Sequence, residues 1–174
     1  EIPENPKYTV VLTPLNLTAE KNDLEKKKLL DKAPDYLMAS GKLAAILNKE
    51  EIERALKTEG ISGFQLLDLH DFPGQGTALV GLLNAFWESK GIIDGKAFRE
   101  FCSPVVPLLR FPKAVYKNDE MFQAKIELCN YGNDILTNKT LHWDILDKGR
   151  SVKHGEIQAG ELKFANNGKL GEIS

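Results

Sequence analysis

The fold is predicted from one stretch of the chain, residues 63–77, which reads Gly63-Phe64-Gln65-Leu66-Leu67-Asp68-Leu69-His70-Asp71-Phe72-Pro73-Gly74-Gln75-Gly76-Thr77. Its apolar part, Phe64–Leu69, has the length of a strand and alternates poorly, as expected of a strand buried on both faces. Polar residues and chain breakers follow, and Thr77 then supplies an N-cap for a predicted helix, Ala78–Ser89. Strand, polar loop and helix form one unit of a parallel α/β fold, in which ligand-binding groups lie where the strands end.

Three polar residues arrive together at the carboxyl end of this predicted strand, namely Asp68, His70 and Asp71. They are candidates for ligand binding, but a structural role is the alternative, in which the aspartates cap loop amides and His70 packs. For an isolated loop of this kind, the structural interpretation would be preferred. A metal site is disfavoured, because two carboxylates and one histidine within four residues of a strand cannot all face one ion.

The overall composition narrows the class of protein. Of the 174 residues, 42% are hydrophobic and 28% are charged, which is ordinary for a globular chain with a core. The net charge of −2 and the pI near 6.0 give no electrostatic basis for binding nucleic acid or an acidic membrane surface. No run has the length of a transmembrane helix. The isolated thiols Cys102 and Cys129 are expected to be free and buried, with a bridge between them as the alternative.

Helical periodicity and capping residues predict several helices in residues 1–112. They are Ala19–Leu30 behind a Thr18 cap, Pro34–Leu47, Lys49–Thr58 behind an Asn48 cap, and a short helix from Asp94 to Phe101. The predicted helix Ala78–Ser89 carries an apolar stripe that is expected to pack in the core, formed by Leu79, Leu82, Leu83, Phe86 and Trp87. The proline-rich segment Val105–Pro112 is expected to be a linker.

Beyond Lys113 the pattern changes from helical to strand-like. Phe122–Leu128 alternates with period two, and Thr140–Leu146 places Leu141, Trp143 and Ile145 on one face and His142 and Asp144 on the other. Helices first and strands afterwards predict an α+β chain with two domains, residues 1–112 and residues 113–174. The second is expected to be an antiparallel β-sandwich with Trp143 buried in its core.

The stretch Gly63–Lys90 resembles family 2 glycoside hydrolases, the β-galactosidase-like group, and especially the multidomain forms from gut Bacteroidetes. Two further segments strengthen the resemblance, which covers most of residues 30–174: Asp35-Tyr36-Leu37-Met38-Ala39-Ser40-Gly41-Lys42-Leu43 and Ala85-Phe86-Trp87-Glu88-Ser89-Lys90-Gly91. In that family a (β/α)₈ barrel carries the catalysis and sandwich domains flank it. The resemblance implies that Phe64–Leu69 is the last barrel strand and that Lys113 opens a partial Ig-like sandwich.

The resemblance also implies a function and a set of sugar-binding residues. Family members are retaining hydrolases that use two carboxylates about 5 Å apart. The strands that carry both glutamates would lie upstream of Glu1, so the chain alone is expected to be inactive. The residues implied to face the sugar are Asp68, His70, Asp71 and Gln75. Asp68 matches a polar position common on the family's last strand, whereas His70 and Asp71 belong to the Bacteroidetes variant.

The implied partners are a carbohydrate and the rest of the parent chain, without cofactor, nucleic acid or membrane. The parent is expected to be periplasmic or secreted. The alternative function is a non-catalytic carbohydrate-binding or interaction module that uses the sandwich. An exposed row of aromatic side chains on the sandwich would favour that alternative.

Overall fold

The computed structural model describes residues 4–75 and 78–174, with the backbone but not the side chains of residues 165–167. The described residues form three α-helices and five strands: α1 (Leu15–Lys26), α2 (Ala33–Leu56), α3 (Gly95–Arg99), β1 (Val105–Arg110), β2 (Ala124–Asn130), β3 (Lys139–Asp147), β4 (Arg150–Ala159) and β5 (Ala165–Ile173). All strand pairs are antiparallel, in a three-stranded sheet of order β1-β2-β5 and a two-stranded sheet β3-β4. The predicted α+β class is therefore confirmed.

The chain divides into two compact units. The first takes its described residues from 1–49 and 65–98, and the second comprises residues 50–64 and 99–174. The first unit contains α1, most of α2 and the loop that holds the candidate site. The second contains all five strands. The predicted division at residue 112 stays a prediction.

Two helices differ in their bounds from the sequence prediction. Helix α1 begins at Leu15, so Thr18 lies inside it and donates its hydroxyl to the carbonyl of Pro14 at 3.0 Å instead of capping. Helix α2 is continuous from Ala33 to Leu56, and the predicted break at Asn48 is wrong. A capping-box pattern contains no helix breaker, so it does not by itself end a helix, and α2 continues through it.

The strand predicted at Phe64–Leu69 and the helix predicted at Ala78–Ser89 are both wrong. The described residues of 61–94 form an irregular loop with single β-bridges, of which one joins His70 to Leu83. The predicted cap, Thr77, lies outside the described residues. The described part of the first unit contains no sheet, so an apolar run at this place has no neighbouring strand with which to form a ladder.

Asn84 explains why the second segment is not helical. Its side-chain Oδ1 accepts hydrogen bonds from the backbone amides of Phe86 at 2.9 Å and Glu88 at 3.0 Å. An asparagine that binds amides two and four residues ahead offers the backbone an alternative to the helix. The short helix after Asp94 does form, as α3, and Asp94 Oδ1 accepts from the amide of Ala97 at 2.7 Å.

The predicted linker Val105–Pro112 is wrong, because Val105–Arg110 forms strand β1. It pairs with β2, and Pro107 lies opposite Leu128. Since β1 is an edge strand, a residue without an amide hydrogen is tolerated there. β1 and β2 thus share a sheet, although the predicted domain boundary lies between them.

The two sheets contact each other through their apolar faces. Ala124, Ile126 and Ile173 form a buried cluster, and five partly buried residues pack against it: Phe122, Leu141, Trp143, Ile157 and Leu170. The predicted period-two pattern of β2 and β3 is confirmed at these positions, with His142 and Asp144 exposed on the opposite face of β3. Trp143 lies in the cluster as predicted but is only partly buried.

Glu127 departs from the alternation in β2, as does the buried Cys129, because its side chain is only 4% exposed. Arg110 of the neighbouring strand donates two hydrogen bonds to its carboxylate, from Nε at 2.8 Å and from the guanidinium Nη2 at 3.0 Å. The carboxylate raises the pKa of Arg110, mainly through these hydrogen bonds. A bidentate pair of this geometry compensates a buried charge that the strand pattern alone would place in solvent.

Candidate functional site

The candidate site is built from two segments of the first unit, residues 68–72 and residues 81–90. The amide of Asp71 donates to the carbonyl of Leu83 at 3.0 Å, and the amide of Leu83 donates to the carbonyl of Leu69 at 3.1 Å. These bonds hold the two segments side by side without a regular strand. The polar side chains predicted at one strand end therefore lie on a loop that is cross-linked by backbone hydrogen bonds.

Asp71 is completely buried, and its carboxylate joins the two segments. Oδ1 accepts hydrogen bonds from the amide of Gly81 at 2.9 Å and from Lys90 Nζ at 2.7 Å. The Lys90 side chain is 11% exposed, so this ion pair is shielded from water on both sides. Oδ2 is buried and has no hydrogen-bond partner among the described residues.

Gly81 is required by the close approach of the two segments. A Cβ atom at this position would lie 2.4 Å from the carbonyl carbon of His70 and 2.5 Å from the amide nitrogen of Asp71. Both are backbone atoms, which cannot rotate away as a side chain can. The glycine therefore lets its own amide reach the Asp71 carboxylate.

His70 contacts an exposed tryptophan. Its Nδ1 lies 2.7 Å from the carbonyl oxygen of Asp71, and its ring centroid lies 4.4 Å from that of Trp87 with a 41° tilt. Trp87 is 61% exposed and has a φ of +63°, the left-handed region that bulky residues rarely adopt. Sequence reasoning placed Trp87 in a core stripe, which is wrong; the turn-forming Asn84 was the local signal against a helix there.

The other two predicted site residues lie on the same loop. Asp68 is half-buried with a φ of +62°, which aspartate tolerates better than most residues. Gln75 is exposed, and its backbone amide donates to the carbonyl of Phe72 at 3.4 Å. The structural alternative expects Asp71 to bind a loop amide and His70 to pack. The bond from the Gly81 amide to Asp71 and the contact of His70 with Trp87 are roles of that kind. Sugar binding at all four residues stays a prediction.

The segment before α1 packs against the second half of this loop. Tyr8 is buried with its ring edge-on to Phe86 at 5.0 Å, and Lys7 forms an ion pair with Glu88. Lys7 Nζ also lies 5.5 Å from the centre of the Phe86 ring. Burial raises the pKa of Tyr8, and the negative charge of Asp71 raises it further while the amide of Ala85 opposes the shift.

The second unit carries an open, largely apolar groove of about 360 Å³. Its lining includes Leu56, Phe64, Phe101, Cys102, Pro104 and Tyr131. Burial raises the pKa of Cys102, which keeps its thiol protonated and poorly nucleophilic. Cys102 and Cys129 form no disulfide, as predicted, although only Cys129 is fully buried.

Neither a metal site nor a membrane-spanning helix occurs among the described residues. Among them, no three His, Cys, Asp or Glu side chains converge in a way that could hold a metal ion. No helix among them combines the length and the apolar character needed to cross a membrane.

A family described as a domain of unknown function (DUF8488) matches residues 120–174, the part of the chain from β2 to β5. A comparison with curated proteins gave no match.

Proposed function

We propose that this chain is part of a retaining glycoside hydrolase of the family 2, β-galactosidase-like type. Its own contribution would be a sugar-binding surface around Trp87, with Asp68, His70 and Gln75 as the polar groups at the surface and the buried Asp71 behind them. The resemblance of residues 63–90 to that family suggests the enzyme class. The exposure of Trp87 against His70 is the observation that carries the binding role.

The indole of Trp87, which is 61% exposed, offers a large flat apolar surface to a ligand. A pyranose presents an apolar C–H face that can stack on an indole and hydroxyl groups that need hydrogen-bond partners at its rim. Trp87 offers the apolar surface, and the Asp68 carboxylate, the His70 imidazole and the Gln75 amide offer the donors and acceptors. This combination of one aromatic surface with a few polar groups is typical of small-ligand sites.

The fold supports a position within a larger enzyme. Helix α2 buries Ala45 and Ile52 on one side and exposes apolar residues on the opposite side, namely Tyr36, Leu43 and Leu47. A helix that is apolar on two opposite sides suits a place between two layers. We infer that further parts of the parent protein cover the second side.

The sandwich part of the proposal rests on the second unit. Two antiparallel sheets contact through an apolar cluster that includes Trp143, the arrangement expected for the start of an Ig-like domain. The family that matches residues 120–174 covers β2 to β5, four of the five strands of this unit. That Ig-like domain would follow the catalytic barrel in the parent.

The proposal is tested by assaying nitrophenyl glycosides with the 174-residue chain and with the product of the complete gene. We expect hydrolysis by the complete product alone, because both catalytic glutamates are predicted upstream of Glu1. In the complete product, Trp87→Ala and Asp68→Ala should lower turnover, whereas Glu51→Gln should not. Glu51 is the matched control because it is exposed on α2 and paired with Arg54 three residues on. Robust turnover by the chain alone would contradict the missing-nucleophile argument.

The alternative is a carbohydrate-binding module without catalysis. The exposed indole of Trp87 favours it equally, because stacking needs no nucleophile. Isothermal titration of the chain with methyl galactoside, methyl mannoside and glucuronic acid would measure binding directly. Binding that Trp87→Ala abolishes, together with an inactive complete gene product, would select this alternative.

A further inference from the structure

We propose that Asp71 and Lys90 are positioning residues, which hold His70 and Trp87 in the orientation that binds a sugar. The inference rests on the proposed function and deepens it. In this arrangement Asp71 and Lys90 do not touch the sugar. They act through the two rings that lie beside them.

The argument begins with the pairing of the two segments. His70 and Asp71 are adjacent on one segment, and Trp87 and Lys90 are three residues apart on the other. Two contacts therefore join the same pair of segments: the ring contact at 4.4 Å and the ion pair at 2.7 Å. The ion pair therefore constrains the same two segments whose rings form the surface, beside the backbone bonds between Asp71 and Leu83 and between Leu83 and Leu69.

Burial makes the ion pair a strong constraint. Asp71 is 0% exposed and Lys90 is 11% exposed, so neither charge can be hydrated if its partner moves away. Exposed ion pairs between long side chains fix geometry poorly, because water competes with them. The Gly81 amide at 2.9 Å further restricts the carboxylate.

The backbone transmits this constraint to His70. The carbonyl oxygen of Asp71 lies 2.7 Å from His70 Nδ1, so the position of Asp71 also sets the orientation of the imidazole. Trp87 itself is held by backbone contacts that do not define its ring direction, such as its amide bond to the carbonyl of Asn84 at 3.0 Å. The ion pair thus adds a side-chain constraint, beside the backbone bridges, between the two segments that carry the rings.

The test uses variants of the 174-residue chain that keep the backbone bridges. Lys90→Met removes the ammonium, Lys90→Arg keeps a positive charge, and Asp71→Asn removes the carboxylate charge at nearly constant shape. Lys113→Met is the matched control, because Lys113 forms an ion pair with Glu120 that is about half exposed. Circular dichroism establishes that each variant is folded before it is compared.

The first readout does not need a sugar. Nuclear Overhauser effects between the His70 ring and the Trp87 indole should be present in the wild type, in Lys90→Arg and in Lys113→Met. They should be lost in Lys90→Met and Asp71→Asn. Their persistence in both of these variants would overturn the proposal, whatever the sugar does.

The second readout is the affinity for the methyl glycoside that the wild type binds best. We expect Lys90→Met to weaken sugar binding on the order of tenfold, as the loss of one hydrogen bond between a misoriented ring and the sugar would. Lys90→Arg should bind the sugar as the wild type does. Lost ring contacts with unchanged affinity would overturn the proposal, because orientation would then not matter for binding. If the wild type binds none of the glycosides, the proposed function fails for this chain, and the ring contacts still decide whether the ion pair orients the rings.

Discussion

Ile126 offers the sharpest test of how the second unit is held together. Its side chain in β2 is 2% exposed and lies in the cluster between the two sheets. Replacement by alanine removes three carbon groups, which at about 0.8 kcal/mol each gives about 2.4 kcal/mol of lost transfer free energy. The cavity adds to this value, so Ile126→Ala should lower the free energy of unfolding by about 3–4 kcal/mol.

The assay is urea unfolding in a Trp87→Phe background, so that Trp143 fluorescence reports the second unit alone. Ile126→Val should cost only about 0.5–1.5 kcal/mol, because it removes one carbon from the same site. Val152→Ala is the exposed control, at 62% exposure in the wild type, and should change stability by less than about 0.5 kcal/mol. A loss below about 0.5 kcal/mol for Ile126→Ala would refute the packing of the two sheets on this residue.

Three further predictions follow from the structure. Gly81→Ala should destabilise the first unit by about 1–3 kcal/mol, because its Cβ would meet backbone atoms of His70. Hydrogen exchange should then show faster opening of the loop. Unchanged exchange would contradict the close approach of the two segments. Burial raises the pKa of Tyr131 above its ordinary value. The buried, protonated phenol therefore contributes to stability below about pH 10, and this contribution is lost as the pH rises through the folded pKa. Ultraviolet titration of Tyr131→Phe against the wild type should remove a late-titrating phenol. Thiol labelling should be slow at Cys102 and absent at Cys129 until unfolding; fast labelling of native Cys129 would contradict its burial.

The sequence predicted the second unit better than the first, and the reason is physical. A strand such as β2 or β3 that buries one face carries a period-two pattern whatever its partner is. Pro107 led to a wrong prediction because the effect of a proline depends on whether its strand lies at an edge, which is a property of the sheet. Glu127 was missed for a similar reason, since its compensating Arg110 lies on another strand.

Helix α2 shows where local signals are too weak to decide. Pro34 in the first turn and the apolar stripe beyond it predicted a helix, and the helix is there. The capping box at Asn48 predicted a new start, but the same residues are accepted inside a longer helix. A capping pattern marks a helix boundary only where other interactions turn the chain away from the helix axis.

The sequence identifies the types of residue at the candidate site but not their arrangement in space. Asp68, His70 and Asp71 were identified because three polar groups follow an apolar run, but their geometry depends on residues 81–90. Asp71 meets Lys90 nineteen residues later in the chain, a contact that no local pattern encodes. Trp87 was assigned to the core because an aromatic at helical spacing is normally buried, and Asn84 diverts the backbone before that helix can form. The exposed indole of Trp87 is therefore a result of the Asn84 turn, and the proposed sugar-binding surface depends on that turn.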